Sequence, residues 1–284
     1  MSSGPVVVAI MSHHRSTQLT RLVERITVGN NSIAVIHHDP SGSPLHLPPS
    51  SDVAIIPDPI PCQWGRMSLV QAQWKTLTWV AANIPDFSWF LLISGQDYPV
   101  RSMASIEAEL ATSPHDGYLR HLLIADPDED IDPWQALTRN RYLRMRRRPF
   151  SVRQIQLPYQ RRHPYRDGTH LYVSEMWFNL SASAVRQILA DRPLRDRLLR
   201  YLRWAPIPDE TFIASMIGNQ PGLDIAPTNR RYIKWQPGEP HPDLVSEAHL
   251  PDIRRSDAFF ARKIDITCHP GIQDLLDGLG ADTH

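Results

Sequence analysis

Six short stretches of the chain hold residue types that can do chemistry together. Pro208-Asp209-Glu210 sets two carboxylates ahead of an apolar run, Thr211–Ile217. A glutamate so placed works as a general base when it reaches the proton it removes. The plainer reading is a helix start, where Pro and acids suit the first turn and its dipole. Phe259-Phe-Ala-Arg-Lys-Ile-Asp265 puts two adjacent cations, Arg262 and Lys263, after an apolar pair. They suit either a developing diphosphate charge or a solvated helix end. His37-His38-Asp39 closes an apolar run, where a nucleotide-binding α/β fold keeps an acid for ribose or base contacts; a simple turn residue is the other reading. His13-His14 close an earlier run in the same way, near a diphosphate or as polar loop residues. Tyr232-Ile-Lys234-Trp235 joins an ammonium to an aromatic face of the kind that stacks on sugars or holds cations; it also fits an edge strand. Trp89–Ile93 is apolar throughout and then breaks at Ser94-Gly95-Gln96 to present Asp97. No Asp-x-Asp pair stands at that strand end to hold a divalent metal.

These groups need elements to position them, and the first half of the chain supplies a regular series. Val6–Ile10, Ser32–Ile36, Asp52–Ile56 and Trp89–Ile93 read as strands, short apolar runs bounded by polar or turn residues. Ser16–Ile26 has helical spacing, with Leu19, Leu22, Val23 and Ile26 on one face and Ser16 or Thr17 as cap. Ser68–Ala82 reads as a second helix, and Ile106–Leu110 falls in a third. The order β-α-β-β-α-β predicts a mostly parallel central sheet flanked by helices. Ligands in such sheets bind beyond the carboxyl ends of the strands, where Asp39 and Asp97 stand. Further on, Leu171–Leu180 reads as a strand, Ser181–Leu189 and Arg192–Trp204 as helices, and Thr211–Ile217 as the start of another. After Gly222 the chain is Pro-rich and reads as loop, with a strand near Tyr232–Lys234.

The bulk composition excludes several classes. The chain has 284 residues, enough for one large domain with a full core. We expect one domain over 1–284, with residues 1–125 as a nucleotide-binding half and 126–284 as an acceptor-binding and catalytic half. Thirty basic and thirty acidic residues give zero formal net charge, so nothing draws the whole molecule to nucleic acid or an anionic membrane. Only three of the basic residues are lysines, Lys75, Lys234 and Lys263. The two cysteines, Cys62 and Cys268, form no framework. The N-terminus reads as a first strand, not a signal peptide, and no run approaches the ~20 apolar residues of a membrane span. A cytoplasmic protein, at most peripheral to a membrane, is expected. Asp126–Asp132 is acidic but lacks the glycine and distal glutamate of a Ca²⁺ loop. The arginine-rich stretch from Arg139 faces that loop or an anionic acceptor. No nucleophile elbow, Walker A motif or zinc spacing occurs.

Taken in order, the segments resemble the Core-2/I-branching glycosyltransferases, the family of β-1,6-N-acetylglucosaminyltransferases and peptide O-xylosyltransferases. The likeness runs from about Val6 to Asp265. It rests on Met11-Ser-His-His-Arg15, Ile36-His-His-Asp39, Trp64-Gly-Arg-Met-Ser-Leu-Val-Gln-Ala72, Leu92-Ile-Ser-Gly-Gln-Asp-Tyr-Pro99, Ser174-Glu-Met-Trp-Phe178, Pro208-Asp-Glu210, Lys234-Trp235 and Phe260-Ala-Arg-Lys263. The resemblance implies a GT-A-like nucleotide-sugar-binding α/β fold and an inverting, metal-independent transfer of a sugar, N-acetylglucosamine or xylose, from a UDP-sugar. It makes Glu210 the catalytic base and Lys263 the cation that neutralises the diphosphate. It places Met11, His13, Asp39, Trp64, Asp97, His241, Arg262 and Lys263 on the donor side. Glu175, Trp177, Lys234 and Trp235 fall on the acceptor side. No cofactor or metal is implied, and the acceptor is a glycan, a lipid-linked glycan or a small molecule.

Two departures matter. The arginine that partners the lysine in animal members falls near Pro240-His241, so His241, Arg262 or Arg254 stands in. The animal disulfide cysteines and membrane stem have no counterpart, and Pro127–Tyr172 does not align. A non-catalytic UDP-sugar or glycan-binding module on the same fold is the competing expectation.

Overall fold

The computed structural model describes residues 4–14, 16–124, 138–139, 141–148, 151, 153–161, 168–236, 239 and 241–281. The acidic stretch Asp126–Asp132 lies outside them. Strands β1 (Val6–Ser12), β2 (Ser32–His38), β3 (Val53–Ile55) and β4 (Trp89–Ser94) alternate with helices α1 (Ser16–Thr27) and α2 (Met67–Asn83). A short strand β5 (Asp97–Pro99) and helix α3 (Met103–Ala111) follow. Strands β6 (Gly117–Tyr118), β7 (His121–Leu123), β8 (Met145–Arg147), β9 (Gln154–Gln156), β10 (Tyr172–Ser174) and β11 (Asn179–Ser181) fill the middle. The last part contains β12 (Ile225–Ala226), β13 (Arg231–Ile233) and β14 (Phe260–Arg262).

The central sheet has seven strands in the order β12-β6-β11-β4-β1-β2-β3. β1 lies parallel to both β2 and β4, β2 is parallel to β3, and β12 to β6; only β11 runs against its neighbours. This is the mostly parallel α/β sheet expected from the alternating pattern. β1 shows why its residues make a central strand. Val7, Ala9 and Met11 join one hydrophobic cluster, while Val6, Val8 and Ile10 join the other. A strand packed on both faces must be apolar at every position, and all seven residues of β1 are buried.

A second sheet, β13-β14-β5, stands beside the first. β14 is parallel to β13 and antiparallel to β5, with Arg262 opposite Asp97. β5 follows β4 after only Gly95-Gln96, so one turn joins the two sheets. Two smaller ladders, β7 with β10 and β8 with β9, complete the strands.

Three expectations are corrected. Leu171–Leu180 is not one strand: β10 pairs with β7 and β11 enters the central sheet, because Glu175-Met176-Trp177 leave the ladder between them. Phe260–Arg262 is a strand and not a helix end. The segment after Gly222 also holds two helices, Leu250–Arg255 and Ile272–Ala281. The latter docks through Ile272, Leu276 and Leu279, and Asp277 accepts hydrogen bonds from Arg21 (2.6 Å) and Tyr98 Oη (3.1 Å). Among the described residues no helix is long and apolar enough to cross a membrane.

Candidate active site

The carboxyl ends of β1, β2 and β4 open on a cavity of about 650 Å³. Its floor is built by short polar segments that follow buried strands. After β1 come Ser12, His13 and His14; after β2 comes Asp39; after β4 come Ser94, Gly95 and Gln96. Asp39 N donates to Ser12 O at 2.8 Å, and Ser43 N donates to His13 O at 3.0 Å. Asp39 accepts from Ser41 N and Ser41 Oγ at 2.8 and 2.6 Å and from Cys62 N at 2.8 Å. Burial pushes this carboxyl up, but the three hydrogen bonds outweigh it and hold Asp39 below its ordinary value. Asp39 is therefore a fixed anion with its backbone tied to the floor. His13 lies below its ordinary value because it is partly buried and sits beside His14, with Lys263 adding to the effect.

Glu210 reaches the cavity from a single 3-10 turn, Pro208–Glu210, that precedes helix Phe212–Gly218. Ile207 enters that turn in the left-handed region at φ 50°, a conformation that costs a β-branched residue ~1–3 kcal/mol. The fold holds it by two hydrogen bonds: Ile207 N donates to Gly65 O at 3.1 Å and Ile207 O accepts from Tyr142 Oη at 2.8 Å. Glu210 Oε2 accepts from an Arg141 guanidinium nitrogen at 2.8 Å. Burial raises the Glu210 carboxyl above its ordinary value, and Arg141 opposes that rise. Asp209, beside it, is almost wholly buried. Burial and the neighbouring Glu210 charge push it up to about 7.

The small sheet delivers the cations. Arg262 ends β14 and Lys263 follows it, and both line the cavity. The Arg262 guanidinium donates to Ser94 Oγ and lies 3.6 Å from Asp97 Oδ1. It also sits 4.6 Å from the Trp177 ring centroid, within cation–π range. Glu175 accepts from Asn229 Nδ2. Two exposed indoles, Trp64 at 71% and Trp235 at 53%, also line the cavity.

The structure thus brings Met11, His13, Asp39, Trp64, Glu175, Trp177, Glu210, Trp235, His241, Arg262 and Lys263 to one cavity. Two expected residues do not line it. Asp97 is 1% exposed and accepts from Ser94 N, so it lies beneath the floor and holds Ser94 and Arg262 in place. Lys234 points elsewhere, with Nζ 3.9 Å from Asp252. Of the stand-ins for the missing arginine, His241 and Arg262 line the cavity. Arg254 is exposed on helix Leu250–Arg255 and does not.

Sequence reasoning missed Arg141 and Arg231 as members of the site's surroundings. Arg231 lies half-buried between Trp177 and Phe260, and its guanidinium donates to Leu92 O and Asn229 O. Nothing in the pattern singles out Arg141, one arginine in a run of many. Among the described residues no group of three His, Cys, Asp or Glu is arranged to hold a metal ion.

A family model described as Core-2/I-Branching enzyme matches residues 9–255. No curated protein matches the chain. Among solved structures, HddC from Yersinia pseudotuberculosis is 10% identical, with 63% of this chain and 78% of that chain covered and a TM-score of 0.26. The 4-diphosphocytidyl-2C-methyl-D-erythritolsynthase from Anaerococcus prevotii is also 10% identical, with 66% and 77% covered and a TM-score of 0.28. Likeness at that level says nothing about chemistry.

Proposed function

Because this chain belongs to the Core-2/I-branching enzyme family, a family of glycosyltransferases, we propose that it transfers a sugar from a UDP-sugar to an acceptor hydroxyl with inversion and without a metal. N-acetylglucosamine and xylose are the donor sugars the family points to, and the fold is read as GT-A-like. The acceptor is a glycan, a lipid-linked glycan or a small hydroxylated molecule. One observation carries the reading: a half-buried carboxylate, Glu210, and two adjacent cations, Arg262 and Lys263, line the same cavity.

The chemistry follows from those groups. An acceptor hydroxyl is a weak nucleophile at neutral pH. Glu210 removes its proton as the oxygen bonds to the anomeric carbon and the bond to the diphosphate breaks. Base catalysis of this kind supplies ~10²–10⁴-fold. The leaving diphosphate gains negative charge, and Lys263 with Arg262 stabilises it from fixed positions. Arg262 is locked by Ser94, Asp97 and the Trp177 face, so little reorganisation is needed when charge develops. Asp39 and Trp64 serve the uridine end, and Trp235, Trp177 and Glu175 serve the acceptor.

The test has two steps. Thermal-shift screening with UDP-N-acetylglucosamine and UDP-xylose identifies the donor, since a ligand that binds the native state raises its stability. UDP release in the presence of glycan acceptors then measures transfer. Glu210→Gln abolishes transfer while leaving UDP binding nearly intact. Turnover close to wild type in that variant removes Glu210 as base. UDP binding without any UDP release returns the protein to a non-catalytic binding role.

A further inference from the structure

Two adjacent residues of the segment between β7 and β10 grip the turn that carries Glu210. Tyr142 is fully buried, and its hydroxyl donates to Ile207 O at 2.8 Å. Ile207 O also accepts from Glu210 N at 3.3 Å, so Tyr142 fixes the start of the turn. Arg141 fixes its end: its guanidinium meets Glu210 Oε2 at 2.8 Å, with both side chains mostly shielded from water. Glu210 Oε1 accepts no hydrogen bond from any described residue, and Glu210 lines the cavity.

We propose that Arg141 is a positioning residue for Glu210: it holds Oε2 and leaves Oε1 as the oxygen that meets the acceptor hydroxyl. The inference rests on the reading of Glu210 as base. A carboxylate on a flexible side chain has two equivalent oxygens and several rotamers. An ion pair to one oxygen removes that freedom. The same contact governs ionisation. Burial and the Glu175 charge disfavour the anion, and Arg141 is the opposing positive group. Asp209 faces Glu210 from the same turn, and Arg147 and Tyr142 face Asp209 and Glu210 from the segment that supplies Arg141. Arg120 lies 4.0 Å from Glu175. Removing Arg141 therefore moves the base toward its protonated form.

The experiment compares wild type with Arg141→Gln, Arg141→Lys and Tyr142→Phe. First, carboxyl ¹³C NMR of glutamate-labelled protein, with the Glu210 signal assigned by its loss in Glu210→Gln, follows ionisation without donor or acceptor. The Glu210 titration moves to higher pH in Arg141→Gln and returns most of the way in Arg141→Lys. Second, the pH profile of UDP release is measured with the donor found by thermal shift. In Arg141→Gln the acid limb moves to higher pH, with a loss of about tenfold or more on the acid side that shrinks at alkaline pH. Tyr142→Phe lowers the unfolding midpoint without moving the limb. An unmoved Glu210 titration overturns the proposal. So does a loss of activity that is equal at every pH, or Arg141→Gln and Tyr142→Phe behaving alike. If wild type shows no transfer with any donor, the reading of function fails while the NMR titration still decides the role of Arg141.

Discussion

Asp209 and Glu210 are neighbours with opposite relations to water. Glu210 faces the cavity and has a guanidinium on one oxygen; Asp209 is buried, and its Oδ1 has no hydrogen-bond partner among the described residues. Burial and the Glu210 charge push Asp209 up to about 7 in the folded protein, against about 4 in an unfolded chain. The folded state therefore holds this proton longer than the unfolded state does. Raising the pH from about 4 to about 7 ionises Asp209 first in the unfolded chain, and stability falls across that window. Asp209→Asn cannot ionise. It should flatten that fall and unfold at a higher temperature than wild type above neutrality, relative to the difference between them at acid pH. Thermal unfolding of both proteins across the pH series checks this, and parallel curves would refute it. Glu210, Lys263 and Asp39 were legible in the sequence because each follows a recognisable motif. Arg141 was not, since ion pairing across a fold leaves no local periodicity. Asp97 was expected either to hold loops in place or to meet the donor sugar, and the structure has it under the floor on Ser94 N, since a carboxylate just past a strand end can turn down as readily as up.

At the scale of elements, the long amphipathic and all-apolar segments were readable. β1, α1, β2, α2 and β4 fall within a residue or two of the pattern-based limits. The small sheet was readable only at β13, Arg231–Ile233, which answers the strand expected near Tyr232–Lys234. β5 and β14 are three residues each, and their partners lie far apart in the chain, so no window of local sequence contains the pairing. The break at Glu175–Trp177 was hidden similarly, because apolar residues continue on both sides of it. Small turns do as much positioning as the strands. At Gly42 a Cβ would lie 1.9 Å from His13 O, a distance no structure tolerates without backbone movement. That close approach lets Ser43 bond His13 O and keeps the turn after Asp39 against the turn after β1. Gly42→Ala should force the two turns apart, at a cost of about 1–3 kcal/mol, and weaken UDP binding by roughly tenfold or more through Asp39 and His13. Urea unfolding and calorimetric titration with UDP check both effects; unchanged binding would show that the turn does not serve the nucleotide.

For the whole molecule, the Asp39 end of the cavity is built on the large sheet and the cations come from the small one, with Ser94–Asp97 as the connection between them. In the proposed reaction the Arg262 guanidinium and the Lys263 ammonium take the place of a divalent ion. Transfer should persist at wild-type rate in excess EDTA and should show no gain with Mn²⁺ or Mg²⁺, whereas Lys263→Ala should lose about 10²-fold or more. Restoration of a stripped, inactive enzyme by Mn²⁺ would overturn metal independence. One further feature bears on inheritance more than on catalysis. β7 and β10 pair along their length, and Ile124 N bonds Leu171 O at 2.8 Å. The described residues between them are entered and left through that one zipped doorway, and Tyr142 and Leu143 among them are buried in the core. Exposed stretches anchored that way can be lengthened at little cost to the sheets, whereas Tyr142 packs in the main core with Val7 and Phe90. The same segment contributes Arg141 and Tyr142. A change to the exposed part of this segment therefore also reaches the contacts on Glu210 and Ile207, and the two must be selected as a unit.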